Sequence, residues 1–314
     1  MMRGLRAAAD LLLPRECVVC GRKLHLDEEH LCLMCWAELP LTHFWERSHN
    51  PMADKFNGLI ETALDGRERY VYAAALFFYD GAGTFRRIPH QLKYHADLRL
   101  GRRFGRLLGQ KLRLAGHLCD VDLVIPVPLH WTRHWKRGYN QAEVIAAEVA
   151  RVLDIGMRTD ILKRSRRTRT QTKVAPRDKS ANVHDAFIAR ITQLNSPETH
   201  TRPEAPRKLE VQTSSGDRGN LKGQSTPEGP TGSDSKTCPD GKTDRDCQDI
   251  RDNQNRQDSR DSQAEGNAGY RHILLIDDVF TSGSTLMACF RALRAVFPAS
   301  VRISVATLAF VGGA

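Results

Sequence analysis

Long apolar runs are missing from this chain. None approaches the length of a membrane-spanning helix, so a helical transmembrane protein is excluded as a reading of these 314 residues. A secretory leader is not expected either. Met1 to Pro14 carries two arginines and a short apolar stretch, but Asp10 interrupts it and no small-residue cleavage site follows. It reads as an N-terminal helix, and the cytoplasm is the expected location. There is no Walker loop, and Gly81-Ala82-Gly83 stops short of a full G-x-G-x-x-G and reads as a turn. Apolar residues are scarce at 40%, with a mean hydropathy of −0.46, low for a fully folded enzyme; a sizeable disordered part is predicted. Acids are the minority charge: 37 Asp and Glu against 47 Lys and Arg give a net charge of +10. Polyanionic ligands fit that balance, whether nucleic acid or polyphosphate. The length suits one large domain or two modest ones.

The most informative stretch runs from His272 to Thr285, H-I-L-L-I-D-D-V-F-T-S-G-S-T. Ile273 to Ile276 has the length and branching of a strand buried on both faces, and Asp277 and Asp278 are expected to end it. A loop of Thr281, Ser282, Gly283, Ser284 and Thr285 follows, then a helical pattern through Leu286, Cys289, Leu293 and Val296. Each part suits a phosphorylated sugar. Backbone N–H groups at a helix start converge on an anion, and glycine allows close approach. Two carboxylates accept hydrogen bonds from sugar hydroxyls or meet a Mg²⁺ that the ligand carries. The plainer alternative is a buried strand followed by an ordinary Ser/Thr helix cap.

Cys17-Val-Val-Cys20 and Cys32-Leu-Met-Cys35 are two C-x-x-C pairs across a short polar loop. Two such knuckles complete a Cys₄ structural Zn²⁺ site. Disulfides are the competing arrangement and sit poorly with a cytoplasmic chain. His25 and His30 read as loop residues, because four thiolates already fill a tetrahedron. Cys119, Cys238, Cys247 and Cys289 show no ligand spacing, and Cys289 reads as a core thiol.

Between these landmarks, Trp36 to about Glu68 looks irregular, with Trp45, Phe56 and Leu59 as packing anchors. Val71 to Tyr79 reads as a strand. Thr84 to Arg106 is basic and partly helical, and Lys93 in Q-L-K-Y-H stands out from what is otherwise a solvated face. Val121 to Val127 is another buried strand, leaving the sheet at Pro126 and Pro128. After it comes a loop with Trp131, Arg133, His134, Trp135 and Lys136, then R-G-Y-N-Q from Arg137 to Gln141, and a helix from about Ala142. Strand, polar loop and helix is a ligand-loop layout; a polar loop with tryptophans packed beneath it is the alternative. Lys163 to Lys179 is dense in Lys and Arg with only Asp178 opposing. It reads as an arginine-rich loop over a diphosphate, a track for nucleic-acid phosphates, or a solvated basic loop. Few aromatics interleave in it, so base stacking is not supported there. A strand is expected at Ala186–Ala189. Thr192 to Ala268 then has almost no large apolar residue and is predicted to be a disordered insertion. Val301 to Phe310 is the last strand.

The four-apolar, two-acid, T-x-G-x-T-like run resembles the phosphoribosyl-pyrophosphate (PRPP) signature of type I phosphoribosyltransferases. The zinc knuckles, F-R-R-x-x-x-x-L-K-Y-H, V-I-P-V-P-L-H, R-G-Y-N-Q-A and that signature follow the order of the ComF/GntX family. Leu162 to Phe187 also resembles a family segment, placing Thr168, Gln171, Arg177 and Asn182 on recurring positions. Lys173-Val174 and the 192–268 insertion depart from the pattern. The resemblance implies an α/β fold: a type I phosphoribosyltransferase-like parallel sheet of about five strands flanked by helices, with a small N-terminal zinc-ribbon-like module. It divides the chain into 1–45 (N-terminal helix and Cys₄ module), 70–191 and 269–314 (the two parts of the main domain) and the 192–268 insertion. It implies that Asp277 and Asp278 hold ribose, that Thr281 to Thr285 hold the 5′-phosphate, and that Lys93 acts with the acids. Pro126, Val127, Pro128, Arg137 and Asn140 complete the PRPP site, while Arg164, Thr168, Gln171 and Arg177 form a basic loop. PRPP with Mg²⁺ is the implied ligand. A transferase that moves pentosyl groups is one implied activity, and no general base for an acceptor is identifiable. The family's best-known member acts in DNA uptake, which implies single-stranded DNA and the uptake machinery as partners, with or without catalysis. Nucleobase salvage is the third option.

Overall fold

The computed structural model describes residues 14–64, 68–79, 83–164, 186–190 and 269–312. In chain order these form α1 (Leu33–Ala37), α2 (Pro51–Leu64), β1 (Ala73–Phe78), α3 (Arg87–Tyr94), α4 (Leu98–Arg113) and β2 (Leu123–Pro126). They continue with α5 (Trp131–Arg137), α6 (Gln141–Leu153), β3 (Gly156–Met157), β4 (Leu162–Arg164), β5 (Phe187–Ala189), β6 (His272–Phe280), α7 (Ser284–Arg294) and β7 (Arg302–Phe310).

Ile273, Leu274, Leu275 and Ile276 have no exposed surface, because β6 is the middle of a five-stranded sheet ordered β1-β7-β6-β2-β3. Every pairing in it is parallel. Such strands need cover on both faces. Successive side chains alternate between the faces. Phe77 of β1 meets Phe104 of α4 on one, while Phe280 of β6 meets Phe56 of α2 on the other, with Phe290 of α7 against Phe56. Helix α4 packs closely on α6 through a glycine stripe; a Cβ on Gly105 would stand 2.9 Å from the Ile145 carbonyl oxygen. At the amino end of the sheet, His272 is clamped between Asp120 (2.9 Å) and the Ser304 hydroxyl (2.8 Å). Burial depresses its pKa to about 4, so the ring is neutral.

The chain leaves β2 toward β3 on one side and β6 toward β7 on the other. Their carboxyl ends therefore diverge and open a crevice, the usual ligand position of an open α/β sheet.

Three local expectations are corrected. Asp277 and Asp278 do not end their strand: β6 continues to Phe280, and Asp277 pairs with Thr307 in the ladder. Trp36 to Glu68 is not irregular throughout, since it contains the 14-residue helix α2. Asn50 caps that helix, accepting from the Met52 and Ala53 N–H groups, and Pro51 starts it with its preset φ. Residues 131–137 form the helix α5 rather than a loop, and its tryptophans do not pack underneath: Trp131 is 71% and Trp135 86% exposed. The anchors hold, with Trp45 and Phe56 fully buried. The strand expected at Ala186–Ala189 is β5, paired antiparallel with β4 apart from the main sheet. The N-terminal helix, the 192–268 insertion, and Thr168, Gln171, Arg177 and Asn182 lie outside the described residues.

Candidate functional site

A cleft of about 1140 Å³ occupies the crevice at the ends of β2 and β6. Asp277 and Asp278 form its floor with Thr281 and Thr285. The loop after β2 contributes Val127 and Pro128, α3 contributes Lys93 and Tyr94, and α5 contributes Arg133 and Arg137. Arg164, the last residue of β4, closes one side, so the basic stretch that follows it starts at the cleft.

The turn before α7 is shaped by Gly283, whose φ of 81° suits glycine; a Cβ there would also press on Leu59 and Phe280 at 2.8 Å. Gly283 offers α7 no side-chain cap; within the turn the Ser284 N–H donates to the Ser282 hydroxyl at 3.4 Å. Lys55 of α2 donates to the Thr281 carbonyl at 2.9 Å and lies over the Phe280 ring, holding the turn from below.

Charge is concentrated here. Burial, and then the neighbouring Asp278 carboxylate, push the pKa of Asp277 up to about 7. Lys93 Nζ is 3.0 Å from Asp278 Oδ2. Burial works against the ammonium, but the Asp278 charge and hydrogen bond outweigh it, and the Lys93 pKa rises. Burial and then the charge of Arg133 lower the pKa of Arg164. Guanidinium groups crowded like this favour an anion between them.

R-G-Y-N-Q has a largely architectural part. Tyr139 donates its hydroxyl, and Gln141 its amide at 3.2 Å, to the Leu92 carbonyl, which fixes the end of α3 and with it Lys93. Asn140 is 3% exposed; its amide donates to the Val127 carbonyl at 3.0 Å and its oxygen caps α6 at Ala142. Arg137 lies over the Tyr94 ring, 5.5 Å away, and donates to Gln141.

Of the residues singled out from sequence, Asp277, Asp278, Lys93, Thr281, Thr285, Val127, Pro128, Arg137, Asn140 and Arg164 line one cleft. Pro126 is buried within β2, opposite Ile276. Ser282, Gly283 and Ser284 shape the turn without lining the cleft, and the Ser282 and Ser284 hydroxyls bond each other at 2.6 Å. Ser284 and Thr285 already belong to α7. Sequence reasoning missed Lys55, Tyr94, Arg133 and Tyr139 as parts of the site. Arg133 and Tyr139 had a signal in their place in the polar stretch after β2, and Tyr94 in its place beside Lys93 in Q-L-K-Y-H; Lys55 had none.

The sulfur atoms of Cys17, Cys20, Cys32 and Cys35 lie within 4.8 Å of one another, and those of Cys20 and Cys32 are 3.7 Å apart. Tetrahedral Zn–S bonds of about 2.3 Å put sulfurs about 3.8 Å apart, so these four donors fit a structural zinc. His30 points elsewhere, to Asp97 at 3.1 Å. Asp97 also caps α4. Trp36 stacks on Phe104 and under Arg103, and Arg87 of α3 donates to the Val19 carbonyl at 3.0 Å. The knuckles therefore rest on α4 and on α3, the helix that brings Lys93 to the cleft. Cys289 is a buried thiol on α7, as expected. Among the described residues, no helix is long and apolar enough to cross a membrane.

Residues 8–45 match the double zinc ribbon domain family. The chain is 33% identical over 110 residues to Competence protein F of Haemophilus influenzae, covering 34% of this chain and 48% of that protein. It is 30% identical over 174 residues to DNA utilization protein YhgH of Shigella flexneri, and 29% identical to YhgH of Escherichia coli K12. Each YhgH match covers 54% of this chain and 69% of the relative. The chain thus spans about half the length of the first relative and about two thirds of the others. An α/β domain with a parallel sheet, joined to a Cys₄ module, is the class that fold and site define. The chain belongs to the ComF/YhgH family of competence and DNA-utilization proteins.

Proposed function

We propose that the cleft binds PRPP together with Mg²⁺, and that the chain is a phosphoribosyltransferase-like protein serving DNA uptake or nucleotide metabolism. The observation that carries this is a convergence: the Asp277–Asp278 pair, Thr281 and Thr285 on either side of the turn opening α7, and the cations Lys93, Arg133, Arg137 and Arg164 border one cleft. In this reading the carboxylates accept hydrogen bonds from the ribose hydroxyls. The N–H groups of the turn hold the 5′-phosphate, and the arginines hold the diphosphate. The parallel sheet, with the acid pair on its central strand, supports a type I phosphoribosyltransferase fold. Mg²⁺ would neutralise diphosphate charge beside the acids. Calorimetric titration of PRPP with Mg²⁺ into the zinc-loaded chain tests the reading. The wild type binds, and Asp277→Asn/Asp278→Asn weakens binding at least about 100-fold, the worth of two charge-assisted contacts. Absence of wild-type binding removes the proposal. Transfer to an acceptor extends it and is read by diphosphate release.

A second reading, single-stranded DNA binding, is favoured by α5. Trp131 and Trp135 stand exposed one turn apart on a helix that also carries Arg133 and Arg137 and no acid. Exposed aromatics beside cations suit base stacking with phosphate contacts. Trp131→Ala/Trp135→Ala should then weaken binding of an oligodeoxythymidine by at least about tenfold at fixed salt, at about 1–3 kcal/mol per stacked base. An unchanged affinity removes this reading.

A further inference from the structure

The sequence of α4, L-R-L-G-R-R-F-G-R-L-L-G-Q-K-L-R, contains no acid. Its three glycines, Phe104, Leu108 and Leu112 are buried, so the exposed side is Arg99, Arg102, Arg103, Arg106, Gln110 and Arg113. At 1.5 Å per residue that row is about 21 Å long. Like charges three and four positions apart repel, and cations near a helix N-terminus oppose its dipole. Little in the fold offsets them. Asp97, the acid at that end, already accepts from the Leu100 N–H and meets His30. Arg103 reaches Glu29 at 3.8 Å, and Arg106 shares Glu148 with Arg151; both arginines stay about half exposed, at 47% and 54%. Among the described residues, no ion pair joins Arg99, Arg102 or Arg113.

Such a row suits an external anion, and its shape selects the kind. Five guanidinium groups in line match a chain of phosphates better than one small anion. Arginine is also the cation that grips phosphate oxygens through a planar fork of N–H donors. No large apolar or aromatic side chain is exposed within the row. A membrane-surface helix buries an apolar face in lipid, and stacked bases need aromatic platforms; the row offers neither.

We propose that the outer face of α4 is a track for the phosphodiester backbone of a nucleic acid, held without regard to base sequence. The row begins beside the cleft, which Ala96 borders next to the Asp97 cap, and runs toward the amino end of the sheet, where β2 starts. It uses neither PRPP nor the tryptophans of α5, so it stands or falls apart from both readings above.

The test is fluorescence anisotropy of a labelled oligodeoxythymidine over a salt series, on the full zinc-loaded chain. Arg99→Gln/Arg102→Gln/Arg113→Gln removes three charges that make no ion pair in the fold and keeps good helix formers in place. The slope of log K against log salt is expected to become shallower by about 2, at about 0.7 per phosphate contact on a single strand. A mixed-sequence strand gives the same change, and the corresponding triple lysine variant keeps most of the wild-type slope. Arg69→Gln/Arg190→Gln, exposed cations on other elements, leaves the slope unchanged. Melting temperature and PRPP binding of the glutamine variant match the wild type. An equal loss of slope per charge in the Arg69→Gln/Arg190→Gln control reduces the effect to net charge and overturns the track. An unchanged slope in the glutamine variant, a lysine variant as shallow as the glutamine one, or no strand binding by the wild type overturns it too. So does a glutamine variant that loses PRPP binding or melts early, since the row is then part of the fold. Phosphatidylglycerol vesicles are titrated in parallel; binding of vesicles but not of the strand that depends on these arginines gives the face to a membrane and overturns the nucleic-acid assignment. Binding of PRPP by the wild type, read separately, decides the cleft alone.

Discussion

Lys93 and Asp278 meet across the cleft, Nζ to Oδ2 at 3.0 Å, joining α3 to the carboxyl end of the central strand. The contact neutralises one of two adjacent carboxylates and holds an ammonium in the cleft proposed to bind PRPP. Lys93→Ala should therefore weaken PRPP·Mg²⁺ binding about 10–100-fold, the range for one charge-assisted contact, while Lys93→Arg retains part of it. Titration calorimetry on the two variants checks this. Wild-type affinity in Lys93→Ala would remove the lysine from the ligand's surroundings.

Asp277 makes stability fall with rising pH. Its carboxyl titrates near 7 in the fold, against an ordinary value of 3.8, because burial and Asp278 disfavour the charge. The folded state therefore holds the proton more tightly than the unfolded chain. Its contribution is fully present below about pH 4 and is lost as pH rises through about 7, a loss of up to a few kcal/mol. Urea unfolding of the ligand-free chain at pH 5 and pH 8 should show Asp277→Asn more stable than wild type at pH 8, with the gap closing at pH 5. A gap that does not change with pH would mean that Asp277 ionises normally.

The zinc module should support the cleft as well as itself. Arg87 holds Val19, and His30 holds Asp97 at the start of α4, so loosened knuckles release both helices. Chelation, or Cys17→Ser/Cys35→Ser, should lower Tm by about 10 °C, as expected for several kcal/mol of metal-linked stability. Metal analysis should find one zinc per chain. A chelated chain that melts with the wild type would show that the knuckles fold without metal.

Gly105→Ala should destabilise by about 1–3 kcal/mol, because its Cβ would meet the Ile145 carbonyl oxygen at 2.9 Å and the Ile145 Cα at 3.0 Å, both rigid backbone. Gly58→Ala on α2 is the control. Its Cβ has nothing within 4 Å, and the exchange should stabilise by about 0.5–1 kcal/mol through helix propensity and a less flexible unfolded chain. Denaturant midpoints decide both, and equal shifts would show that the α4–α6 contact yields.

Much of the site could be read from the residues because its parts are local. A four-residue apolar run followed by two acids and a small polar turn reads as strand, ligand loop and helix within fourteen positions. C-x-x-C spacing likewise brings thiols to one point without help from the rest of the chain. Helix α2 was harder to see, although Asn50-Pro51 and the spacing of Met52, Phe56 and Ile60 are its signals. Asn57 obscured the pattern: it is a polar residue on the buried face, where its side chain bonds Val71. Helix α5, at seven residues, is too short for periodicity to reveal it.

By itself, then, the sequence determined the strands β1, β2, β5, β6 and β7, the acid pair, the turn at α7 and the thiolate cluster, since each depends on neighbours a few residues away. It did not reveal β3 and β4, at two and three residues. The tertiary structure alone decided that β6 lies between β2 and β7, which opens the crevice at the acids. It also decided that Lys93 reaches Asp278, that Lys55 supports Thr281, and that Asn140 is spent on a cap. Those outcomes depend on how whole helices seat on the sheet. A cation on a helix surface carries the same local pattern whether it ends in solvent or against a carboxylate, and only long-range packing separates the two.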